Sequence, residues 1–154
     1  MATIESLIEA ALLGRVATLS FSPAWAPAFN SAVQIAWPNR DFTPPQAGGK
    51  PIPYLRIFHI PNTVDQISLG EAGINRYVGL LQVSVMWPLN VAASPAIEAA
   101  GQVARHFKRG TVISNSGLHI RINRPPVVAA VIKEETMIQV PVTVSWLCDA
   151  PNPS

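Results

Sequence analysis

Any chemistry in this 154-residue chain has to come from three histidines, one cysteine and a few charged clusters. His59, His106 and His119 fall at spacings that match no zinc pattern, and a single cysteine supplies no paired thiolate ligands. Cys148 precedes Asp149, a pairing that could be nucleophile and partner. A catalytic thiol needs a base within hydrogen-bond reach and a lowered pKa. Nothing local supplies either, so a structural thiol is the simpler reading. His119 alternates with apolar neighbours, where a solvated imidazole on the outward face of a strand is expected. Glu134-Glu135 reads as a solvated turn, because adjacent like charges gain from water and lose from burial. Arg105, Lys108 and Arg109 could touch phosphate, but they close a helix whose negative dipole end already favours cations. There is no GxxxxGK[ST], no GxSxG and no GxGxxG. No catalytic residue, cofactor or metal site is expected.

Composition narrows the class. Half the residues are apolar and only 13% are charged, about half the usual share. So thin a charge coat points to a surface partly covered by another copy or a partner. The net charge of +2 is too small to imply a nucleic-acid partner. No apolar run approaches the ~20 residues that span a bilayer, and the first residues lack the basic start of a signal peptide. One cysteine excludes an intramolecular disulfide and suits a reducing compartment. The length predicts one domain over residues 1–150, with a frayed Pro-containing tail that begins between Asp149 and Pro151.

The organising stretch is Ile74 to Gly110. Tyr77, Gly79, Leu81, Val83, Val85 and Trp87 alternate with a mixed set, which predicts a long strand with one face in a core. Trp87-Pro88 ends it. Ser94 as N-cap and Pro95 at the first helical position open a helix to Lys108. Ile97, Ala100, Gly101, Ala104 and Phe107 form its expected apolar stripe, and Gly110 stops it.

Before it, Thr3 caps an amphipathic helix to about Ala17. Ser20–Asn30 reads as a loop, Val33–Trp37 as a short strand, and Asn39–Pro53 as a long Pro/Gly-rich connection, functional or mobile. Pro53–Ile60 is a strand, followed by a patternless loop from Pro61 to Gly73. In that loop Ile67 and Leu69 stand out as apolar, and Asn62, Gly70 and Gly73 predict flexibility in the free chain. After a turn at Asn115-Ser116-Gly117, Leu118–Asn123 alternates cleanly as a strand. Val127–Ile132 is apolar enough for a short strand, with Lys133-Glu134-Glu135 as a turn. The last strand, Thr136–Leu147, puts Ile138, Val140, Val142, Val144 and Trp146 on one face. Pro141 predicts a bulge or an edge position there. The expected fold is therefore α+β in the order α-β-β-β-α-β-β. It has a mainly antiparallel sheet of four to five strands and both helices packed on one face.

Read in order, these pieces resemble the tail terminator (tail completion) proteins of long-tailed, non-contractile bacteriophages. The pieces are the N-terminal helix, Trp37-Pro38-Asn39, Asp41-Phe42-Thr43-Pro44-Pro45 and Pro53-Tyr54-Leu55-Arg56. To these add the loop to Gly73, the strand Arg76–Trp87, the helix end His106-Phe107-Lys108-Arg109-Gly110-Thr111, and Val140-Pro141-Val142. The resemblance spans about residues 3 to 147.

It implies a non-enzymatic virion protein of the phage tail, assembled in the host cytoplasm. A hexameric ring of it would cap the finished tube, end polymerisation and offer the surface for head joining. The implied partners are other copies of the chain, the major tail tube protein and the head–tail connector proteins, with no membrane and no nucleic acid beyond DNA passing through the ring. Expected contact residues are Asp41 and Phe42, Ile67 and Leu69, and the half-polar strand face of Arg76, Val78, Leu80 and Gln82. Two other readings stay open: a stopper or adaptor ring at the head–tail junction, and a small ligand-binding or hydrolytic module using Cys148 or the histidines.

Overall fold

The structure is a computed structural model that describes residues 2–21, 33–89 and 92–153; most of the expected Ser20–Asn30 loop lies outside them. Helix α1 spans Ile4–Ala17, and the Thr3 side chain accepts a hydrogen bond from the Ser6 amide, as a capping threonine should. After it come β1 (Ile35–Ala36), β2 (Gln46–Ala47), β3 (Lys50–Pro51), β4 (Tyr54–Gln66) and β5 (Ile74–Pro88). Helix α2 (Ser94–His106) leads to β6 (Val112–Asn115), β7 (Leu118–Ile122), β8 (Val127–Val128), β9 (Ile132–Lys133) and β10 (Met137–Pro151).

One sheet runs in the order β1-β4-β5-β10-β7-β6, with β8 and β9 also paired to β10. All its pairs are antiparallel except β1 with β4. The α+β class and the two helices are as expected, whereas among the described residues the sheet has eight strands and a different order. The extra members are mostly two residues long, too short for any periodicity to reveal. Strand β6 was missed for a similar reason, although its turn at Asn115–Gly117 was recognised: Ser116 and Gly117 both take positive φ, as a two-residue hairpin requires.

The centre is the β5–β10 pair, in register from Pro88↔Met137 to Ile74↔Pro151. Tyr77, Leu81, Val83, Val85 and Trp87 join Ile138, Val140, Val142, Val144 and Trp146 in one buried cluster with both helices. That is the face expected for each strand. The helices meet over it, where the Arg15 guanidinium donates to the His106 carbonyl (2.9 and 3.3 Å).

Several local expectations need correction. Ala93, not Ser94, holds the cap position of α2, and no side chain caps it. Pro95 in the first turn lacks one of the N–H groups a cap would satisfy, so the loss is small. The face of α2 that packs is Ala96, Ala99, Ala100, Val103 and Phe107, while Ile97 stays exposed. The small side chains let the helix lie close on the sheet.

Pro141 is neither at a bulge nor in an edge strand: it pairs opposite Ser84 in an unbroken register. Its carbonyl accepts from the Ala129 amide (2.8 Å). In a strand, a residue's nitrogen points the same way as its carbonyl, so this N–H-less nitrogen faces the interrupted margin between β8 and β9. Asn39–Pro53 is partly ordered as the β2–β3 hairpin, turned by Gly48 and Gly49, both at positive φ. Lastly, β4 runs on to Gln66 through a register shift between Pro61 and Val64, and the shift hides the alternation that would have marked it as a strand. At the C-terminus β10 reaches Pro151, and the Asn152 amide donates to Gly73 (2.8 Å), so the end is held further than expected.

Candidate functional site

The sheet face opposite the helices is built by cross-strand rows. Tyr54, Met86 and Gln139 form one, Phe58, Gln82 and Thr143 a second, and Ile60, Leu80 and Ser145 a third. At the Met86 end this face is closed. Tyr54, Met86 and Met137 make a second small core, against which Ala36 and Phe42 pack. Phe42 lies 5.0 Å from the Tyr54 ring, and the Gln139 amide donates to Ser84 within this covered region (2.8 Å).

Towards the hairpin the same face opens. Val78, Leu80 and Gln82 are half-buried, and Phe58 and Ile60 beside them remain 50% and 45% exposed. Val127 and Ile132 add exposed apolar surface along the β8–β9 margin. Several large apolar side chains gathered on one open sheet face mark an interaction surface more than a monomer's exterior.

The hairpin tip, residues 67–73, carries Leu69 at 91% exposure and Ile67 at 44%. Hydrogen bonds give it a defined shape. The Ser68 hydroxyl accepts from the Ile74 amide (2.6 Å), and Gly73 donates to Gly70 (3.1 Å). The Asn152 side chain donates to Glu71 (2.8 Å). A Cβ on Gly73 would stand 2.7 Å from the Ser68 carbonyl, so this turn needs glycine. A shaped tip loses little entropy on docking.

Arg76 is tied to Asp149 by two hydrogen bonds, 2.8 and 3.0 Å, across β5 and β10. The paired guanidinium, by that hydrogen bond and by its charge, holds the Asp149 carboxyl below its ordinary range.

Of the residues read from sequence, Arg76, Val78, Leu80 and Gln82 thus share one strand face, with Ile67 and Leu69 at the end of the same hairpin. Asp41 and Phe42 do not join them. Phe42 sits beside Tyr54, which pairs with Met86 near the other end of β5, about 13 Å from Gln82 and about 33 Å from Arg76 at the usual rise per strand residue. Phe58 and Ile60 were missed as contact candidates, although their alternation was visible; only the register that sets them beside Leu80 and Gln82 reveals the patch.

The residues that could do chemistry are scattered. Cys148 is fully buried, and burial first, then the charge of Asp149, pushes its thiol pKa up, the reverse of an activated thiolate. His106 bridges the helices: its Nε2 lies 2.9 Å from the Arg15 carbonyl and 3.0 Å from the Thr18 hydroxyl. His119 contacts Ser114 (3.0 Å) and His59 contacts Glu9 (3.4 Å). Among the described residues no three His, Cys, Asp or Glu gather as metal ligands, and no helix is long and apolar enough to cross a membrane.

A search of curated protein sequences returned no match. A solved structure of 28% sequence identity superposes with a TM-score of 0.70, covering 96% of both chains. The family model described as "Phage tail terminator protein" matches residues 7–146. With residues 7–146, nearly the whole chain, matched by the family model, the protein belongs to the phage tail terminator family.

Proposed function

We propose that this chain acts as a structural, non-enzymatic component of the virion. Six copies form a ring on the end of the finished tail tube, stop addition of further tube protein, and present the surface to which the head is joined. The family match over residues 7–146 carries this reading; the hexamer, the capping and the head joining follow from what the family resemblance implies. Assembly takes place in the host cytoplasm, the tube protein and the head–tail connector proteins are the partners, and DNA passes through the ring.

The open face and the shaped tip support a docking role. Val78, Leu80, Phe58 and Ile60 gain by being covered, and Leu69 contributes about 1.5–3 kcal/mol when fully buried against a partner. Asp41 and Phe42, at the far end, serve a separate contact.

Electron microscopy of particles made without this protein tests the reading. Overlong tails support it. Tails of normal length on leaking heads overturn it in favour of a stopper at the head–tail junction. Cross-linking of the protein on assembled tails should give species up to the hexamer, and dimers alone would remove the ring.

A further inference from the structure

The two ends of the sheet carry opposite charge. At the β6–β7 end, Arg15, Arg105 and Lys108 border one open groove, with Glu98 the carboxylate beside them. The Gly110 amide donates to the Ile122 carbonyl (2.8 Å), which brings Arg109 and Arg124 to the same corner. Among the described residues none of these five cations makes an ion pair; the pairs present are Arg56–Glu134, His59–Glu9 and Arg76–Asp149.

At the opposite end, among the described residues, β4 is the last strand beyond Arg56, because β1 pairs there with Leu55 and Arg56 alone. Asp65 lies on this free edge, and Glu5 and Glu9 come to it from α1. Glu9 sits 3.4 Å from His59, while Glu5 shares a recess with residues 61–64. Arg40 shares a groove with Glu9, and Arg76, already paired with Asp149, stands opposite Asp65 across the β4–β5 ladder. The recess, about 60 Å³, is also lined by His59 and Trp146. Their buried ring nitrogens, Nε2 and Nε1, have no hydrogen-bond partner within the described chain. Glu5, Glu9 and Asp65 outnumber the unpaired Arg40, so this edge is acidic, and the two ring nitrogens are left unsatisfied in a single copy.

We infer that these two ends are the halves of one head-to-tail contact: the basic β6–β7 end of one copy docks against the acidic β4 edge of the next. Opposite charges on opposite ends attract only in that arrangement. Two like ends repel, so a two-fold dimer through either end is disfavoured, and repeated head-to-tail docking is the kind of contact that closes into a ring. Pro61 and the register shift after it spoil simple strand addition along β4, which leaves side-chain charge to select the partner edge. The inference rests on the ring reading above and adds which surfaces meet.

Two charge-reversed variants test it, with assembly followed by sedimentation at low salt over a wide concentration range. Arg105→Glu/Arg109→Glu/Arg124→Glu makes both ends acidic, and Glu5→Lys/Asp65→Lys makes both basic. Each alone should need at least about tenfold more protein than wild type to assemble. An equimolar mixture should assemble within about threefold of wild type, because the two variants alternate with every contact complementary. Salt near ~1 M should weaken the wild-type ring.

Melting curves establish that each variant folds, and a variant that does not is replaced by its glutamine counterpart, which removes the charges without reversing them. Rings that form equally well from either folded variant alone, or a folded mixture that fails to assemble, overturn this inference while leaving the ring reading standing. A wild-type chain that stays monomeric at every concentration and on tail tubes overturns both.

Discussion

Replacing Gly79 by alanine puts one methyl group into space that is already filled. Gly79 lies mid-strand in β5, between Pro61 of β4 and Trp146 of β10. An added Cβ would stand 2.6 and 2.9 Å from the Trp146 indole carbons and 2.8 Å from the Ile60 carbonyl oxygen. All three are below the separations real Cβ atoms keep, and the carbonyl belongs to a paired strand that has little freedom to retreat. Overpacking of this kind costs about 1–3 kcal/mol. Three approaches under 3.0 Å put the cost in the upper part of that range, about 2–3 kcal/mol, and alanine returns up to about 1 kcal/mol by narrowing the unfolded ensemble, which leaves a net loss of about 1–2 kcal/mol. For a domain of this size that is a fall of about 2–8 °C in Tm.

Thermal melting of Gly79→Ala reads it directly. Repeating the substitution in a Trp146→Phe background should recover part of the loss, since phenylalanine lacks the indole carbons nearest the new methyl. The recovery should be partial, because the Ile60 carbonyl remains. A Gly79→Ala protein that melts at or above wild type refutes the packing argument.

Three further outcomes are expected. Ile67→Ser/Leu69→Ser should leave Tm within about 2 °C, because both side chains are already exposed, yet it should yield overlong tails in complementation; normal tails from the folded double variant would remove the tip from the contact. Val83→Asp should prevent folding, since Val83 is fully buried between the helices and its strand neighbours and an unpaired buried carboxylate costs several kcal/mol; a soluble, cooperatively melting variant would show the wrong face assigned. Burial first, with the charge of Arg15 adding to it, lowers the pKa of His106 from its ordinary 6.5 against the opposing hydrogen bond to the Arg15 carbonyl. The folded chain therefore binds fewer protons than the unfolded one, so this stability is complete above about pH 6.5 and lost as pH falls through the lower, folded value. His106→Gln should flatten the Tm profile between about pH 7 and 5, and an unchanged slope would refute it.

What could be read from sequence was what repeats over many residues. The inward set of β5, Tyr77 to Trp87, and that of β10, Ile138 to Trp146, each recur at period two, so one face was fixed long before any partner strand was known. α1 announced itself by a threonine cap and an apolar stripe. The misreadings cluster where length or register fails. Residues 61–66 pair with β5, but Pro61 and the shift to Val64 break the alternation, so a strand read as loop. On α2 two apolar stripes overlapped at helical spacing, and alanines rather than Ile97 took the buried side. Close helix–sheet packing favours small side chains, a preference the apolar count alone does not weigh.

The contact surface was legible only in part, because it is made by register. Leu80 and Gln82 could be seen to leave the core, but Ile60 and Phe58 become their neighbours only when β4 pairs with β5. Arg76 shows the opposite failure. Taken alone, a charged residue at the strand entry looks free to meet a partner, yet Asp149, on the other long strand, engages both arms of its guanidinium. Substituting Arg76 therefore perturbs the β5–β10 seam beneath the hairpin tip, and a defect in assembly would not by itself place that side chain in a contact. Leu80 is the cleaner probe of the open face. It is half-buried, pairs with Ile60 and Ser145, and holds no charge whose loss would disturb a neighbour. An assembly defect in a Leu80→Ser protein whose melting is unchanged would belong to the face itself.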